Sequence, residues 1–212
     1  MKLIAQFRRA GATTLLGLLA LASPALAQDD NLYPAPSSPD ASFLRVVMAE
    51  PVTVRINGAA VAADAEGVTP YVEIAEGTQT LIVGDKTEEL QAEPATHYTF
   101  LVAKDGTGAL VPDNPSESPS QAALTLYNLT DVDATELYVP SAGTVALADI
   151  GALEGQTVAL RAPLSLDVEL RAAGETLAAL AAVELRRGVG TSIILTGQQG
   201  AYTASWFDNF YD

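Results

Sequence analysis

Between residues 164 and 171 the chain alternates without a break. Leu164, Leu166, Val168 and Leu170 take one side; Ser165, Asp167, Glu169 and Arg171 take the other. A period of two is the signature of a strand with one buried and one wet face, and a helix does not present it. The pattern recurs at Val52, Val54 and Ile56, which alternate with Thr53 and Arg55. Asn57-Gly58 follows at once, a strong hairpin signal because both residues accept positive φ. Further short strands are expected over residues 43–47, 71–74, 78–83, 87–90 and 98–104, and again over 122–129, 136–139, 144–148, 157–161, 191–196 and 202–207. Residues 177–185 are rich in Ala and Leu, which favours helix. Their place between strands favours strand, and both readings stay open.

Residues 111–120, Val-Pro-Asp-Asn-Pro-Ser-Glu-Ser-Pro-Ser, interrupt the series. Proline lacks the backbone donor that a strand interior needs, so a semi-stiff linker is expected here. The strands on either side resemble each other in order. Strand 78–83, Gly84-Asp85, strand 87–90 and strand 98–102 match strand 166–171, Ala173-Gly174, strand 176–183 and strand 191–195. Such a repeat predicts an all-β protein of two tandem antiparallel β-sandwich or barrel-like domains; one larger sandwich is the other arrangement the pattern allows. The expected boundaries are a signal peptide at 1–27, an extended arm at 28–41, domain 1 at 42–110, the linker at 111–120, domain 2 at 121–205 and an aromatic tail at 206–212.

The leader explains the compartment expected for the chain. Lys2, Arg8 and Arg9 precede an apolar run from Ala10 to Ala22, and Ala25-Leu26-Ala27 supplies a small-x-small cleavage site. This is the layout of a cleavable secretory signal, and its bacterial character points to the periplasm. The whole chain carries 26 acidic and 11 basic residues, a formal charge of −15. Removing a leader with three bases and no acid makes that −18. A protein so acidic is a poor partner for nucleic acid or an anionic membrane. There is no cysteine, which excludes disulfides, thiol nucleophiles, cysteine-ligated zinc and iron–sulfur clusters.

Residues for catalysis are scarce. His97 is the single histidine, so a Ser-His-Asp site would have to use it. It stands where a loop enters a strand, without a Gly-x-Ser-x-Gly elbow anywhere in the chain, and a surface turn is the expected setting. Asp131-Val132-Asp133-Ala134-Thr135-Glu136 has alternating oxygens but lacks the glycine and closing glutamate of a calcium loop, so a solvated turn is expected. No cofactor, metal or catalytic residue is assigned. Trp206, Phe207, Phe210 and Tyr211 crowd into seven residues, and Leu32 and Tyr33 form an apolar island in the N-terminal arm. Such tails either pack onto their own domains or dock partners, since exposed aromatics are typical interface anchors.

Three segments carry a resemblance. Leu32-Tyr33-Pro34-Ala35-Pro36 precedes Ser42-Phe43-Leu44-Arg45-Val46; the second half opens with Ala123-Leu124-Thr125-Leu126-Tyr127-Asn128-Leu129-Thr130; and Ile193-Ile194-Leu195-Thr196-Gly197 closes it. In this order they resemble the AlgF family of periplasmic alginate O-acetylation proteins. The chain departs from that family at Val47-Met48-Ala49-Glu50-Pro51 and in its aromatic C-terminus. The resemblance implies a non-catalytic adaptor that works beside periplasmic and membrane-bound polysaccharide acetyltransferases. Leu32, Tyr33 and Arg45, from the resembling segments, and Trp206, Phe207, Phe210 and Tyr211, from the aromatic cluster, are the candidate partner interface. At this charge, a protein with a basic face is a better partner than a polyanionic polymer. The alternative function is an exported carbohydrate-binding or cell-surface β module, with Trp206 as its expected sugar-contacting aromatic.

Overall fold

The alternating segments form strands, and the strands pair in two identical patterns. The computed structural model describes residues 37–115 and 118–211. In the first half, β1 (Ser42–Met48), β4 (Val72–Ile74), β7 (His97–Val102) and β8 (Gly108–Asp113) form a sheet of order β4-β1-β7-β8. Its companion contains β2 (Val54–Ile56), β3 (Ala59–Val61), β5 (Gly77–Val83) and β6 (Lys86–Ala92) in the order β3-β2-β5-β6. The second half repeats this scheme. One sheet, β12-β9-β15-β16, holds β9 (Gln121–Thr130), β12 (Glu154–Arg161), β15 (Gly190–Gln198) and β16 (Ala201–Asp208). The other, β11-β10-β13-β14, holds β10 (Thr135–Val139), β11 (Thr144–Ile150), β13 (Leu164–Ala172) and β14 (Glu175–Leu185). Adding eight to each label of the first lobe gives the second. The chain is thus an all-β protein of two repeated sandwich-like lobes.

Two differences from the sequence reading matter for the site. Pairing is mostly antiparallel, but β1 runs parallel to β7, and β9 parallel to β15. Each parallel pair is central in its sheet and covered on both sides, as parallel strands usually are. The expected linker is also shorter at its start, because residues 111–113 complete β8 and Pro112 sits opposite Tyr98. Strand β8 is an edge strand, one of the few settings in a sheet that tolerate proline.

Residues 177–185 are strand, and the structure explains why they do not look like one. Leu166 pairs with Val183 but Val168 with Leu180, so β14 carries an extra residue in a bulge. Ala182 there has φ 55°, and its N–H is taken by Asp167 Oδ1 at 2.9 Å. A bulge resets the period of two and hides it from the sequence. The Asn57-Gly58 hairpin forms as expected, with φ of 50° and 85° between Ile56 and its partner Ala59.

Side-chain alternation fixes how the sheets stack. Leu44, Val46, Met48, Tyr98, Phe100 and Val102 face the first lobe's own core with Val54, Leu81 and Val83. Leu124, Leu126, Ile193 and Leu195 face the second lobe's core with Leu137, Val168 and Leu170. The opposite faces of the same strands meet each other. Val47 and Leu101 from one lobe and Tyr127, Leu129 and Ile194 from the other form a third apolar cluster with Val68. Four sheets therefore stack in series with three apolar layers between them. The middle layer is the seam that joins the lobes, and β1 and β9 are buried on both faces along almost their whole length.

Candidate functional site

An arginine lies inside the seam. Arg45 occupies the middle of β1, between Leu44 and Val46, whose side chains enter the lobe-1 core, so its own must point into the seam. It is 1% exposed. A lone buried cation would be very unfavourable, and the surrounding residues show how this one is tolerated. Arg45 Nε donates to Thr99 Oγ1 at 2.9 Å, and Nη1 to Asn209 Oδ1 at 2.8 Å. Nη2 donates to the Tyr127 hydroxyl at 2.9 Å and to Ser192 Oγ at 3.0 Å. The guanidinium lies 4.3 Å from the ring centre of Tyr71, with Phe207 and Tyr127 at 5.4 and 5.5 Å, distances at which a ring face attracts a cation.

The counter-charge is Asp113, reached through intermediaries. Asp113 Oδ2 accepts from Thr99 Oγ1 at 2.5 Å and from the Tyr71 hydroxyl at 2.7 Å, and its Oδ1 accepts a short bond from the Tyr127 hydroxyl. The hydroxyls of Thr99 and Tyr127 each accept from Arg45 and pass a proton donor on to Asp113. A chain of this kind polarises along its length. Burial alone would lower the Arg45 pKa, but the fields of Tyr127, Tyr71 and Asp113 outweigh it and raise the pKa, so the guanidinium is charged at any physiological pH. Burial pushes the Tyr127 phenol up to about 12 against the pull of Arg45, and burial also holds the Tyr71 phenol well above its ordinary range. Both phenols are therefore neutral donors. This arrangement contains no activated nucleophile. It is a clamp drawing on β1, β7, β8, β9 and β15 and on the segment after β16.

That last segment crosses the seam. Asn209 Oδ1 accepts from Ser192 Oγ at 2.8 Å as well as from Arg45, and Asn209 N–H donates to Gly190 O at 2.7 Å. Phe210 O accepts from Tyr71 N–H at 2.9 Å, and Tyr211 bridges Tyr71 in parallel register. The rings there form a herringbone. Tyr211 stacks on Tyr71 (5.1 Å, 25°), Phe43 stacks on His97 (4.7 Å, 22°), and the two pairs meet at near right angles. The Tyr211 hydroxyl and His97 Nε2 lie 3.2 Å apart. Burial lowers the His97 pKa, opposed by Asp113 and aided by Arg45. His97 is thus the first residue of β7 and part of a ring cluster, not a turn residue turned to solvent.

The candidate interface residues separate into four groups. Arg45 is interior, so it is not an interface residue; it joins lobe to lobe. Trp206 and Phe207 belong to β16 and not to a tail. Trp206 packs on the lobe-2 core and Phe207 on the seam. Trp206 is half-buried there, with part of its ring committed to the lobe-2 core. Phe210 and Tyr211 are exposed, at 40% and 53%. Leu32 and Tyr33 lie outside the described residues, as do the leader and most of the arm. Sequence reasoning missed Tyr71, Asp113, Tyr127, Ser192 and Asn209. The available signal was Arg45 itself, a charge in an otherwise apolar strand, which calls for buried partners.

Other motifs prove to be structural. Asn128 is fully buried. Its Nδ2 donates to Val132 O and Ile150 O, and its Oδ1 accepts from the N–H and hydroxyl of Thr130. Asp131 accepts from the Tyr202 hydroxyl and Gln199 N–H. Among the described residues, no group of three or more His, Asp or Glu side chains is placed to hold a metal ion.

No family model matches the chain, and no curated protein matches it. Among solved structures, the C-terminal domain of AlgF from P. aeruginosa is similar over 42% of this chain and 99% of that domain, at 20% identity and TM-score 0.38. A carbohydrate-binding module, CBMbc from Eubacterium rectale Amy13K, was solved with maltoheptaose. It matches 79% of this chain and 96% of its own length, at 13% identity and TM-score 0.30. The Bacillus anthracis TIE protein matches 76% of this chain over 34% of its own, at 10% identity and TM-score 0.27.

Proposed function

We propose that the protein is a non-catalytic periplasmic adaptor for O-acetylation of an exported polysaccharide, alginate or an alginate-like polymer, and that it holds the acetyltransferases of that pathway in place. One observation carries the reading. Of the segments in which the sequence resembles the AlgF family, those within the described residues are the innermost strands β1, β9 and β15, and Arg45 is their common point of contact. The resemblance thus falls on the joint that unites two lobes, where a shared architecture would leave its mark. Two lobes clamped by a buried charge network form a body with a fixed spacing between its outer surfaces. Such a body raises the effective concentration of one bound partner near another without any chemistry of its own.

The test is capture of partners from periplasmic and inner-membrane extract, with residues 28–212 tagged at either end. Recovery of a periplasmic or membrane-bound acetyltransferase is the expected result, together with loss of polymer acetylation, but not of polymer, when the gene is deleted. Full acetylation in the deletion strain would overturn the reading.

A further inference from the structure

The end of the C-terminal segment builds a site that the clamp does not require. A groove of about 210 Å³ lies beside it, lined by Pro115, Gly188, Val189, Gly190, Asn209 and Tyr211. Two features aim this groove at a ligand. Tyr211 is held by Tyr71 stacked on it and by its hydroxyl at His97, yet more than half of it is open. A ring that is both fixed and exposed offers contact area at little cost in conformational freedom. Asn209 supplies the second feature. Its Oδ1 accepts from both Arg45 and Ser192, which fixes the amide orientation, since neither oxygen nor nitrogen can be exchanged against a guanidinium donor. Its Nδ2 must then point the other way, toward Gly190, and it has no hydrogen-bond partner among the described residues. Gly190 leaves the room: a Cβ there would stand 2.3 Å from that nitrogen. The groove thus combines a rigid aromatic wall, a lining of Pro115, Val189 and the backbone of Gly188 and Gly190, and one oriented donor.

We propose that this groove binds a single pyranose unit of a polysaccharide, with its C–H face on the open surface of Tyr211 and a ring-substituent oxygen accepting from Asn209 Nδ2. A sugar ring has this dual character, apolar across its face and oxygen-rich around its rim, and the groove offers one group for each. The site differs from the adaptor reading in its ligand, a sugar in place of a protein, although Tyr211 is also among the candidate partner contacts; sugar titration tests the one and capture of an acetyltransferase the other.

The test titrates the protein with two probes, a mannuronate hexasaccharide and cellohexaose, followed by amide shifts of Gly190 and the Asn209 side chain. The expected result is saturable shifts at both positions with at least one probe. Binding should fall roughly tenfold in Tyr211→Ala and be retained in Tyr211→Phe, which keeps the ring and loses only the hydroxyl. If the uronate is the ligand, its affinity should rise with added salt, because screening relieves repulsion from an acidic protein. Cellohexaose affinity should not change with salt. Thermal unfolding of each variant separates lost binding from lost fold. Absence of shifts at millimolar probe, or binding that Tyr211→Ala leaves unchanged in a folded protein, would overturn the proposal.

Discussion

Replacing Arg45 by methionine keeps most of the side chain's length and removes its charge. Four hydrogen bonds are lost together, to Thr99, Asn209, Tyr127 and Ser192. No donor is orphaned, since Thr99 and Tyr127 still donate to Asp113 and Ser192 still donates to Asn209. What remains is the half-buried Asp113 carboxylate, which keeps its bonds from Tyr71, Thr99 and Tyr127 but loses its cation. Removing one partner of a fully buried charge pair costs about 3–5 kcal/mol, which sets the upper bound here. With a urea slope near ~2 kcal/mol/M, that bound lowers the unfolding midpoint by about 1.5–2.5 M. The assay uses two signals. Trp206 is the only tryptophan and packs on the lobe-2 core, so its fluorescence reads that lobe, whereas far-ultraviolet dichroism reads both. The curves should coincide in the parent and separate in Arg45→Met. Adding Asp113→Asn removes the stranded charge and should recover part of the loss, a coupling that only interacting groups show. A midpoint within about 0.5 M of the parent, below what even ~1 kcal/mol implies at that slope, would refute the argument. So would a double variant whose costs simply add.

Two further outcomes follow from the same seam. Gly155 lies against the Tyr127 ring, and a Cβ there would stand 2.5 Å from ring carbon Cδ1. Gly155→Ala should therefore cost about 1–3 kcal/mol in chemical denaturation, as overpacking does. The Tyr127 pKa, raised by burial from 10.0 to about 12, makes the folded state hold its proton where the unfolded chain releases it. That stabilisation is complete below pH 10 and is lost as pH rises through 12, so stability should fall between the two. Tyr127→Phe should be less stable at neutral pH yet lose less over that interval, measured as urea midpoints against pH.

Local pattern was legible wherever one face of a strand is wet. Residues 164–171 and the Asn57-Gly58 hairpin read directly, because solvent enforces polar residues at alternate positions. Legibility failed in two physical circumstances. A bulge hid β14, and an edge position allowed Pro112 into β8 against the usual rule. The internal repeat was visible through its turns, since Gly84 and Gly174 fall at the same point in each lobe. The seam was not visible, because it joins residues far apart in the chain whose types, Tyr, Thr, Ser, Asp and Asn, are ordinary on any surface. Position in the fold makes them a network. Tyr211 was singled out as an aromatic, but only the structure shows that Tyr71 and His97 hold it open to solvent while Trp206 rests half-buried on the lobe-2 core.

The bond from Arg45 to Asn209 spans 164 positions. Contacts of such separation must wait for most of the chain to be made and for the intervening loops to close, and they reward that closure only at the end. Until then the seam faces of both lobes stand uncovered, with Val47, Leu101, Leu129 and Ile194 in water and an arginine without its partners. The first lobe can pair its strands early, but its inner sheet remains a sticky surface until the second lobe arrives. Folding speed and resistance to aggregation are therefore governed by the meeting of the lobes more than by either lobe alone.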